Sequence, residues 1–89
     1  MDAIDGILKE RSKTHGDFAI QAGLAQELKT AVRNSSNWRA LPAAYREGLE
    51  MVLHKIARVC EGDPFHEDHL ADIQGYTELM RRAGHERMA

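Results

Sequence analysis

Eighty-nine residues suffice for one domain but lie near the lower size at which a single core holds a fold together. With 43% hydrophobic and 29% charged residues and only two prolines, the chain is not disordered over most of its length. The formal net charge of −2 argues against duplex DNA as the main partner, because such binding draws on clustered positive charge.

Apolar spacing is helical throughout, and no segment alternates as a strand would. The expected fold is all-α, a compact single-domain bundle of about four helices at roughly 2–12, 17–33, 42–61 and 66–84. In the first helix Ile4, Ile7 and Leu8 share a face. Thr14 or Asp17 is placed to cap the second helix, with Gly16 at the turn. Phe18, Ile20, Leu24, Leu28, Ala31 and Val32 then form one broad apolar face. "RNSSNW" breaks the pattern, since Ser35, Ser36 and Asn37 compete with the backbone for hydrogen bonds. Trp38 and Leu41 are expected to fold this connector back on the core.

Pro42 suits the opening turn of the third helix. Tyr45, Leu49, Val52, Leu53, Ile56, Val59 and Cys60 share its apolar side, with Glu47, Glu50, His54 and Arg58 opposite. Gly62, in a left-handed cap, and Pro64 are expected to end it. The fourth helix places Ile73, Tyr76, Met80 and Ala83 on its apolar side, Asp72 on the shoulder, and a frayed "HERMA" tail beyond.

An aspartate at the edge of a buried face needs an ion-pair partner or a cation. For Asp72 the ion-pair candidates are Lys55, Arg58 and His54. The alternative is a metal site. Glu47-x-x-Glu50 and Asp68-x-x-x-Asp72 put four carboxylates on consecutive helices, the oxygen-rich set that Mg²⁺ prefers. Lys55 and Arg58 would then contact the phosphates of a bound nucleotide. No haem, flavin or structural zinc is expected: His54, His66 and His69 lack a compact cysteine set, and Cys60 is the sole cysteine, on the apolar side of its helix. A lone cysteine also fits a reducing, cytoplasmic compartment, and no signal peptide or membrane span is legible.

"ILKERSKTHGDF", "NW" before a proline, "EGLEMVLHKIARVCEGDP" and "DHLADIQGY" together resemble a small domain of unknown function found widely in phages and prophages. A more distant resemblance is to MazG-type all-α nucleotide pyrophosphohydrolases. Glu47 and Glu50 match the E-x-x-E half of their acidic motif; where those enzymes carry E-x-x-D, this chain has Asp68-x-x-x-Asp72. The resemblance implies a Mg²⁺-bound nucleotide. The competing expectation is a non-catalytic module for a host or phage protein partner, such as an inhibitor of a host defence complex. A homo-oligomer is expected in either case, given the short chain.

Overall fold

The helical spacing becomes helices nearly where it predicts them. A computed structural model describes residues 2–15, 17–65 and 67–88, which form α1 (Asp2–His15), α2 (Phe18–Arg33), α3 (Ala43–Glu61) and α4 (Glu67–Met88). A 3-10 turn at Trp38–Ala40 joins α2 to α3, and no strand occurs among the described residues. No described helix is long and apolar enough to cross a membrane.

The ends are set by local chemistry. Asp17 caps α2, its Oδ1 accepting from the N–H groups of Ala19 at 2.9 Å and Ile20 at 3.2 Å. Gly16 lies outside the described residues, as does His66. At the other end of α2 the Ser35 hydroxyl donates to the Val32 carbonyl, so the serine draws the chain out of the helix. Two endings differ from expectation. Gly62 has φ −129° and ψ −147°, outside the left-handed region, and the turn is built instead by Asp63, whose Oδ1 accepts from the Phe65 N–H at 2.9 Å. Helix α4 passes through Gly84 to Met88 rather than ending near 84. A glycine without a following proline weakens a helix but does not stop it. Gly84 is needed here because the Tyr45 hydroxyl occupies the space a Cβ would take.

Helix α3 is the centre of the molecule. It packs against α4 on one flank and α2 on the other; α2 and α4 make at most slight contact with each other, and α1 touches α3 lightly. The two buried positions of α3 are its small residues Gly48 and Ala57. Nine residues separate them, which at 100° per residue places them on opposite flanks. Gly48 meets Met80 of α4, so Ala57 lies on the α2 flank. Small side chains let the helix axes approach closely at each seam. On α4 the buried His69 falls on the same line as Met80, facing α3.

The line α2 buries is Gln21 and Ala25. It is rotated by roughly a fifth of a turn from the expected apolar face. Leu24 and Leu28 are therefore half-buried, and Ile20 is open to solvent. The result is a layer of three helices with two distinct sides. The chain extends over 52 × 25 × 24 Å, although its longest helix accounts for only about 33 Å.

Candidate functional site

The polar side of this layer carries the residues singled out from the sequence, and it holds them in two separate ties. Glu50 turns toward α2. Arg33, in the last turn of that helix, donates to it through Nε at 3.2 Å and also through its terminal nitrogen. The bound guanidinium holds the Glu50 carboxyl below its ordinary range against a smaller effect of burial; Lys29 and Arg46 add to the lowering. Asp72 turns toward α3, where the Lys55 ammonium lies 2.7 Å from Oδ2. That contact lowers the Asp72 carboxyl likewise, with smaller help from His69 and Arg58.

The other two carboxylates sit apart from both. Glu47 is exposed at the rim of an apolar cleft of about 210 Å³ formed with Ala44, Gly48, Tyr76, Leu79 and Met80. Lys55, the residue that fixes Asp72, is eight positions further along α3, about 12 Å of helix. Asp68 is exposed on the first turns of α4. Glu50 and Asp72 thus face different neighbouring helices, each against its own cation. Among the described residues, no group of three or more His, Cys, Asp or Glu side chains is placed to hold a metal ion.

Lys55 and Arg58, the expected phosphate contacts, are both half-buried on this side. Only 12% of the Lys55 side chain is exposed, and Asp72 occupies its charge. His54 immediately precedes Lys55; burial lowers its pKa most, and Arg58, Lys29 and Lys55 push in the same direction. Cys60, expected in the core, is exposed, because the close contacts of α3 run along its Gly48 and Ala57 flanks.

Sequence reasoning missed Arg33 as the partner of Glu50. The signal was present: a short connector makes α2 and α3 antiparallel neighbours, and an arginine ends the first while a glutamate follows about two turns into the second. No protein-family model, curated protein or solved structure matches the chain.

The Lys55–Asp72 tie makes an unequal prediction. Asp72→Asn leaves an ammonium in a site that is almost closed to water, whereas Lys55→Met leaves a carboxylate that is 42% exposed and can be solvated. Asp72→Asn is expected to lower the melting temperature at pH 7 more than Lys55→Met does. The folded-state carboxyl has the lower pKa, so the aspartate stabilises above its unfolded value near 3.8 and loses that effect as pH falls through the folded value. The gap between wild type and Asp72→Asn should therefore close in acid. Thermal unfolding at pH 7 and at pH 3 and below checks both statements; a larger effect from Lys55→Met would refute the first.

Proposed function

We propose that the chain is a non-catalytic helical module that binds a partner protein through the apolar side of its α2–α3–α4 layer. The observation that carries this reading is the division of the layer. Arg33–Glu50 and Lys55–Asp72 tie the helices on one side. Helix geometry puts Ile20 of α2, Ile56 of α3 and Leu70 of α4 on the other. Ile20 is 58% and Leu70 63% exposed, and Ile56 is half-buried between them. An apolar face that spans α2 and α3 and is continued on α4 by Leu70, without a second layer, is a surface that association would cover.

A nucleotide held through Mg²⁺ is the weaker reading. Glu50 would have to leave Arg33, and Asp72 would have to leave Lys55, before the two could share an ion. The exposed thiol of Cys60 suits a reducing compartment such as the cytoplasm.

Photo-crosslinking separates the two readings. A photoreactive residue at position 20 or 70, used in cytosol from the source cell, should give discrete protein conjugates that unlabelled chain competes away. The same group at position 68, an exposed aspartate on the ion-pair side of α4, should not. Equal labelling at all three positions would sink the proposal. So would a rise in melting temperature with nucleoside triphosphate and Mg²⁺ that Glu50→Gln abolishes.

A further inference from the structure

We infer that the partner is a second copy of this chain, docked apolar side to apolar side about a two-fold axis. This rests on the interaction reading above and names its occupant.

The surface area points to a second copy. A folded monomer of 10.0 kDa exposes about 5,200 Å² by the general scaling of surface with mass. This chain exposes 6639 Å². The surplus of about 1,400 Å² exceeds the roughly 800 Å² that each partner contributes to an interface of standard size. Shape agrees. The radius of gyration is 15.4 Å, against about 12 Å for a compact domain of this length.

The arrangement of the layer fits a symmetric pairing. Stable domains are built from at least two packed layers, and the α2–α3–α4 unit supplies one. Its apolar side carries α3 in the middle, with Ile20 and Leu70 on the outer helices, so a two-fold axis over α3 would set like surfaces against each other. The ion pairs lie on the opposite side and are satisfied within the chain, so they neither drive nor oppose this contact. A net charge of −2 adds little repulsion between copies. Helix α1 extends the same logic. Ile4, Ile7 and Leu8 form an i, i+3, i+4 stripe, each more than half exposed, on a helix of 14 residues. An isolated helix of that length is marginal in water, and a partner surface would hold it.

The charged stripe on α3, formed by Glu47, Glu50, His54 and Arg58, offers a different seam for a dimer, but Arg33 of the same chain already takes Glu50.

Sedimentation equilibrium on the full chain, from about 1 to 200 µM, tests the proposal. The unmodified protein should reach twice the chain mass, with a melting temperature that rises with concentration. Ile20→Glu and Leu70→Glu should each weaken the dimer at least tenfold, because each buries a charge in the apolar contact. Leu79→Glu, an equally exposed leucine on the ion-pair side, should leave it unchanged. A monomer across the whole range with a concentration-independent melting temperature overturns the dimer, as does a dimer that Leu79→Glu breaks and the other two spare. A monomer that still gives conjugates with another protein at positions 20 and 70 refutes only the self-pairing. The concentration dependence is read on unmodified chain, so the test stands even if a variant fails to fold.

Discussion

Trp38→Ala is expected to lower the unfolding free energy by about 3–5 kcal/mol, the usual range for truncating a buried aromatic to alanine. The residue is only 8% exposed, and the other buried apolar side chains among the described residues are Ala25, Ala57 and Met80. Trp38 is thus the largest of a small set. It also fixes the connector: its N–H donates to the Ser35 carbonyl at 3.4 Å, and its own carbonyl accepts from the Leu41 N–H at 3.2 Å. Losing the indole leaves a void at the base of the α2–α3 seam and frees the segment that sets the angle between those helices. An 89-residue domain has roughly 4–13 kcal/mol of stability in total, so this one change could consume most of it. Urea unfolding at one fixed protein concentration measures the loss. Phe65→Ala is the control; that ring is 91% exposed, and its removal should change stability by no more than about 0.5 kcal/mol. Similar losses from the two variants would mean that Trp38 is not an anchor.

The fold class, the four helices and the Asp17 cap are legible from residue spacing alone, because each rests on the local preferences of a few neighbours. Asp72 is legible as a residue in need of a partner, and Lys55 is among the partners the spacing offers. The rotation of α2 is not legible. Hydrophobicity ranks Leu24 and Leu28 above Gln21 and Ala25, yet close packing on α3 selects the smaller alanine and leaves the leucines on the shoulder. Cys60 misleads for a related reason. Its apolar neighbours on α3 mark a side of the helix that no other part of the layer covers, so a correct periodicity does not yield a correct burial. Both misses follow from one cause. Periodicity reports which side of a helix is richest in apolar residues, whereas the neighbouring helices decide which side is covered.

The α3–α4 seam supplies the second large effect. Gly48→Val is expected to destabilise the protein by about 2–3 kcal/mol, the scale of overpacking in a well-filled contact. A Cβ at position 48 would stand 2.5 Å from Met80 Cγ and 2.6 Å from its Sδ, far inside van der Waals contact. Methionine is flexible and gives some ground, so Gly48→Ala should fall much nearer to neutral, where the gain of about 1 kcal/mol in helix propensity offsets the crowding. The branched valine asks for more room than a rotamer change can supply. Met80→Ala, made alone, opens a void at the same place. Combined with Gly48→Val it should recover much of the loss, giving a coupling of about 2 kcal/mol in a double-mutant cycle read by urea unfolding. Equal costs for Gly48→Val in both backgrounds would show that the seam does not close at these residues. On the proposed pairing, the seam also reaches the dimer contact. Widening it moves Leu70 of α4 relative to Ile20 of α2, so Gly48→Val should weaken self-association, and Met80→Ala should restore it along with stability.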